Sequence, residues 1–85
     1  MESLPRRVPG LEINEVDDGF MIHQPQRDRV HYLNHTAVLI LELCNGLRSP
    51  AEIAELIQKT YDLPDAPTME VDEVLEKMRE EGLAR

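Results

Sequence analysis

The sequence predicts an α+β fold, a three-stranded antiparallel sheet followed by three helices in the order β-β-β-α-α-α. Residues 11–33 form short runs of apolar and polar residues broken by turn signals, the signature of half-buried strands. From residue 34 onward the apolar positions recur with helical spacing, and capping residues stand at the boundaries. The chain has 85 residues, which leads us to expect one domain with one core over residues 1–85.

Pro5, Pro9 and Gly10 make residues 1–10 an extended arm, because proline fixes φ and disfavours helix in its predecessor. Leu11-Glu12-Ile13-Asn14 alternates and reads as the first strand. Asp17-Asp18-Gly19 is a turn signal, with glycine available for positive φ. Phe20-Met21-Ile22-His23 returns as the second strand, and Pro25 ends it. Val30-His31-Tyr32-Leu33 is rich in β-branched and aromatic residues and forms the third. Asn34 is placed to cap a first helix that is apolar nearly all round, from Thr36 to Asn45, and is therefore buried. Gly46 fits the position after its C-cap, with Leu47 folding back on Leu41. Ser49-Pro50-Ala51-Glu52 is a capping box with proline at the first helical position. Ile53, Leu56, Ile57 and Tyr61 form the stripe of that second helix. Thr68 is placed to cap a third, whose apolar positions are Val71, Val74, Leu75 and Met78. Gly82 supplies its C′, with Leu83 returning to Met78. The first helix covers one face of the sheet, which three strands need for stability.

Composition narrows the function. The chain carries 9 Lys and Arg against 17 Asp and Glu, a net charge of −8. That opposes a nucleic-acid partner, whose affinity comes largely from cations neutralising phosphates. One Cys excludes an internal disulfide and an all-Cys zinc site. No apolar run approaches the length of a membrane span, and the N-terminus lacks the apolar core of a secretory signal, so the expectation is cytoplasmic.

No catalytic set emerges. Cys44 lies among Ile40, Leu41 and Leu43 and reads as a small core residue rather than a reactive thiol. His23, His31 and His35 lack the spacing of a zinc site. The acidic pairs Asp17-Asp18, Asp72-Glu73 and Glu80-Glu81 read as solvated surface, and the four glycines are scattered rather than gathered in a phosphate loop. The expectation is a non-enzyme with no metal and no cofactor. What remains is architectural. The third strand ends a meander and is an edge, whose unpaired N–H and C=O groups accept a peptide as an extra strand. The apolar stripe of the third helix is the other wall of such a groove.

The whole chain resembles the PqqD-like family, the small peptide chaperones also called RiPP recognition elements. The resemblance runs from about Pro5 to Leu83. It rests on Pro5-Arg6, Pro9-Gly10-Leu11, Phe20-Met21-Ile22 and Val30-His31-Tyr32-Leu33-Asn34 with Thr36-Ala37. The most distinctive segment is Ile40-Leu41-Glu42-Leu43-Cys44-Asn45-Gly46, and Glu52-Ile53-Ala54, Tyr61, Val71–Leu75 and Gly82-Leu83 continue it. The resemblance implies a winged-helix-like fold that binds the leader region of a precursor peptide and presents it to a modifying enzyme, often a radical SAM enzyme. In the PqqD case the pathway makes pyrroloquinoline quinone. By position, the peptide edge is Arg29, Val30, His31, Tyr32 and Leu33, and the helical wall is Val71, Val74, Leu75 and Met78. Arg29 or Arg79 is available to pair with a leader carboxylate, worth about 0–1 kcal/mol if exposed. The chain lacks Trp and its Gln26–Arg29 turn is charged, so pyrroloquinoline quinone and another modified peptide both stay open as products.

Two alternatives share the architecture. In a winged-helix DNA-binding protein the third helix would read the duplex, but Met69–Glu81 has six acids against Lys77 and Arg79. In an assembly role, edge strands of two copies would pair, giving a weak dimer in place of a monomer.

Overall fold

A computed structural model describes residues 4–85. The first three residues of the expected arm lie outside the described residues. Strands β1 (Glu12–Val16), β2 (Gly19–Gln24) and β3 (Arg29–Leu33) form an antiparallel sheet in the order β1-β2-β3. Helices α1 (His35–Leu43), α2 (Pro50–Tyr61) and α3 (Thr68–Glu80) follow. This is the α+β arrangement that the alternation and the helical spacing predict.

The register places Ile22 opposite both Ile13 and His31, and Phe20 opposite Leu33. Side chains alternate across a sheet, so Ile22, His31 and Leu33 share the inner face while Val30 and Tyr32 lie on the outer one. Ile22 is fully buried, whereas Val30 is 52 % and Tyr32 73 % exposed. β1 runs one residue later than expected at its start and extends to Val16, because Asp17-Asp18 alone make the turn. Gly19 is required there by a close approach. A Cβ on it would lie 2.5 Å from the carbonyl oxygen of Leu33.

α1 is the middle layer. Its Cα atoms approach β2 and β3 on one side and α2 and α3 on the other, and no helix but α1 reaches the sheet within 8 Å. Asn34 caps it, Oδ1 accepting from the Ala37 amide at 2.8 Å. The helix ends two residues before the expected Asn45, at Leu43, and the N-terminal arm is the reason. The Arg7 amide donates to the Cys44 carbonyl at 2.8 Å, and the Gly46 amide donates to the Pro5 carbonyl at 2.9 Å. The arm thus takes backbone groups that another turn of helix would use. Leu47 stays 75 % exposed and does not fold back on Leu41. The arm also meets the end of the chain, where Arg6 and Arg85 exchange amide-to-carbonyl bonds of 3.2 and 2.7 Å.

α2 forms as its capping box predicts. The Ser49 amide donates to Glu52 Oε1 at 3.0 Å and the Glu52 amide donates to Ser49 Oγ at 3.2 Å. Those bonds hold the Glu52 carboxyl below its ordinary pKa. Ile53, Ala54 and Ile57 are buried, but Tyr61 lies off the stripe and is exposed. In α3, Thr68 sits inside the first turn rather than capping it. Pro67 occupies the cap with no side-chain bond, and its carbonyl accepts from the Val71 amide. The other end closes as expected. Gly82 takes φ +76°, its amide donates to the Arg79 carbonyl, and the Leu83 amide donates to the Met78 carbonyl at 2.8 Å. This 6→1 and 5→2 pattern satisfies the last carbonyls, and Leu83 is fully buried beneath it.

Candidate functional site

β3 is an edge strand. Among the described residues, no backbone N–H or carbonyl of Arg29–Leu33 bonds to anything except β2. In an antiparallel ladder every second residue exchanges bonds with its neighbour, so the others aim their N–H and C=O outward. The arm does not cover that edge. It pairs instead at Arg6 with Asn45 and at Arg7 with Ala84.

α3 runs past this edge without touching its backbone. No Cα atom of α3 lies within 8 Å of one in β3. The space between them is a cavity of about 280 Å3, lined by His31, Tyr32, Leu33, Val74, Lys77 and Met78 among others. A chain of polar contacts spans the gap at one end. Gln24 Nε2 donates to the Gly82 carbonyl at 2.8 Å, which turns its amide oxygen toward His31. His31 Nε2 lies 3.2 Å from that oxygen, and its Nδ1 lies 3.1 Å from Glu81 Oε2. Both ring nitrogens of a largely buried imidazole therefore face acceptors. Gln24 is itself 5 % exposed, so the amide is satisfied inside the fold rather than by bulk water.

The nine residues expected at the site fall into three groups. His31 and Leu33 point to the α3 side, and Val74 and Met78 line the gap opposite them. Val30 and Tyr32 project from the outer face of the sheet, although Tyr32 reaches the cavity at the rim, and Arg29 is exposed where β3 begins. Val71, Leu75 and Met78 are 1 %, 2 % and 2 % exposed and belong to the core against the other helices, with Met78 also meeting the gap, so Val74 is the half-buried member of the expected helical wall. The helical period identifies an apolar face but does not divide it between a core and a groove. Val74, half-buried at the margin of that face, is where the division falls. Residue spacing does not reveal the Gln24–His31–Glu81 chain, because its bonds join residues as far as 58 positions apart. A glutamine at the end of an inner-facing alternation, two residues after Ile22, is the one signal that points to it.

The three histidines disperse. His23 Nδ1 lies 3.6 Å from Glu12 across the sheet, His31 bonds as above, and His35 stands edge-on to Phe20 with ring centres 5.2 Å apart. Among the described residues no three metal-ligating side chains converge. Cys44 is buried away from the gap, its Sγ donating to the Ile40 carbonyl at 3.1 Å. Burial pushes the thiol up to about 11, against a smaller opposing pull from Arg79. Among the described residues no helix is long and apolar enough to cross a membrane.

A sheet edge facing a helix across an open gap defines a class, the small α+β domains that leave one strand edge uncovered. The chain belongs to the PqqD family: the family profile described as coenzyme PQQ synthesis protein D matches residues 19–84. No curated protein matches in sequence. Among solved structures, a chain described as lasso peptide synthetase B1 complexed with the leader peptide superposes with a TM-score of 0.72 at 20% identity, over 98% of this chain and 99% of that one. The likeness shows a shared fold.

Proposed function

We propose that this protein is a leader-peptide recognition element. A stretch of a precursor peptide pairs with β3 as a fourth strand and rests its inward side chains in the gap beside Val74 and Met78. The protein then presents the peptide to a separate modifying enzyme, which does the chemistry. The observation that carries this reading is the unpartnered β3 backbone held apart from α3 by an unfilled cavity. Family membership and a structural neighbour described in complex with a leader peptide support it. A radical SAM partner and a product of the pyrroloquinoline quinone type follow from the family alone. The acidic surface of α3 speaks against a duplex as the ligand.

The ladder supplies affinity through main-chain bonds, and alternate side chains supply register. Met78, unbranched and polarizable, re-packs around different occupants. The test is a titration of the labelled chain with a synthetic leader, encoded by a short open reading frame beside a radical SAM gene. We expect micromolar or better binding, ~8 kcal/mol at 1 μM. Amide shifts cluster on Val30–Leu33 and on Val74–Met78. Shifts confined to α1 and α2 overturn the proposal.

A further inference from the structure

A second cavity, of about 330 Å3, opens on the Gln24–Gly82 side of the polar bridge, whereas the gap beside β3 lies on the His31–Glu81 side. Arg27, Arg79 and Arg85 line it, and no Asp or Glu does. That is unexpected in a chain of net charge −8. The gap beside β3 carries Glu81, the hollow beside Phe20 carries Asp17 and Asp18, and the one beside Leu56 carries Glu52 and Glu55.

Two features make this more than three surface arginines. Arg27 is folded back so that its guanidinium lies over Gly82, where a Cβ would come within 2.5 Å of Nη1 and 2.9 Å of Cζ. It reaches there from a turn in which Asp28 takes the left-handed conformation, φ 51°. In addition, none of the three arginines has an ion-pair partner among the described residues, whereas Arg7 pairs with Glu42. Guanidinium groups gathered without a counter-charge repel one another, and an anion between them removes that cost. The planar fork of arginine matches a carboxylate bidentately.

Position suggests where the carboxylates come from. β3 begins at Arg29, two residues beyond Arg27. A strand advances ~3.3 Å per residue, so a segment paired along β3 reaches the mouth of the cleft within a few residues past Arg29. At the other end of β3 the hollow next to Leu33 holds Asp17 and Asp18. We propose that the arginine cleft takes the carboxylate side chains of an acidic stretch of the bound peptide, lying just beyond the part paired with Arg29. The source of the carboxylates rests on the β3 reading. The preference of the cleft for carboxylates does not.

The test follows the arginine Nε–Hε signals of the labelled full chain at fixed ionic strength. The probes are an N-acetylated, amidated tetraglutamate, a tetralysine and inorganic phosphate. Tetraglutamate gives saturable shifts at Arg27 and Arg79 and leaves Arg48 in place, and tetralysine moves none of them. Replacing both sites, Arg27→Gln with Arg79→Gln, weakens tetraglutamate by about tenfold or more while circular dichroism is unchanged. Equal shifts at every arginine, or binding of phosphate alone, overturn the cleft. A second probe joins tetraglutamate to the strand-forming segment Thr-Val-Thr-Val-Thr, at either end. One of the two joined probes moves Val30–Leu33 and Arg27 together. Movement of Val30–Leu33 without Arg27 overturns the cleft and keeps the edge reading. Movement of Arg27 without Val30–Leu33 overturns the link between them.

Discussion

β1 and β3 are the two outer strands of one sheet, five residues each, and both leave half their backbone groups unpaired. They differ in what stands beside them. β1 approaches only β2, and its exposed positions are Glu12, Asn14 and Glu15. Charges along an edge discourage a further strand. β3 carries no acid, rests on α1, and looks across a gap at Val74, Lys77 and Met78. The same main-chain chemistry is thus guarded on one side and furnished with an apolar wall on the other. An open edge is common to both; the flanking helix is what makes one of them the candidate binding surface.

The largest expected effect tests whether that wall is separate from the core. Leu75→Ala destabilises the fold by about 2–5 kcal/mol in urea unfolding, because it empties a buried site. Both edges suffer equally, so Leu75 is a poor probe of binding. Val74→Asp, by contrast, places a carboxylate in the gap and weakens a bound leader by about 1–3 kcal/mol, roughly five- to 150-fold in Kd. Asn14→Asp on β1 leaves Kd within about twofold, the scale of an exposed surface change. Equal losses from Val74→Asp and Asn14→Asp would erase the distinction between the edges. Hydrogen exchange sharpens it further: alternate amides of Arg29–Leu33 gain protection when peptide binds, and those of Glu12–Val16 do not.

Two smaller effects lie in the frame that both edges share. Burial raises the Cys44 pKa in the folded state to about 11, from 9.0 for a solvated thiol. Between these values the folded state holds a proton that the unfolded chain has lost. Stability is therefore complete below about pH 9 and falls by about 1.4 kcal/mol per pH unit as pH rises toward 11. Cys44→Ala removes that slope in denaturation curves taken across the window. The smallest effect is at α2. Ser49→Ala costs about 1 kcal/mol of stability and leaves leader affinity unchanged. The Glu52 carboxyl is depressed by its bonds to Ser49, so its contribution is present above the unfolded pKa and lost as pH falls through the folded one. Ser49→Ala keeps the backbone amide bond to the carboxyl and so only reduces that acid-side dependence, whereas Glu52→Gln removes it.

What the sequence disclosed was mostly local. The Ser49–Glu52 box and the Gly82–Leu83 closure involve partners within five positions, so residue spacing reveals them. The order of strands and helices followed from two periods that do not overlap. Long-range pairings escaped. The early end of α1 depends on Arg7 and Pro5 reaching Cys44 and Gly46, and nothing near residue 44 announces it. Thr68 looked like a cap because Pro67 and Thr68 both suit a helix start, and the backbone chose the earlier residue. At the candidate site, the edge was legible in the meander. The split of α3 into Val71 and Leu75 inward and Val74 toward the gap was not, since all share one stripe.

The distance between α3 and β3 is set at one end by Gln24, His31 and Glu81 rather than by interlocking methyl groups. Gln24 is buried and His31 largely so, and breaking one of these bonds leaves a polar group short of a partner at a cost of about 1–3 kcal/mol. The bridge is therefore a spacer that fixes the width of the slot where it crosses. Ile22, Leu41 and Leu83 are fully buried behind it, so the gap is bounded on the core side by packing and at this end by hydrogen bonds.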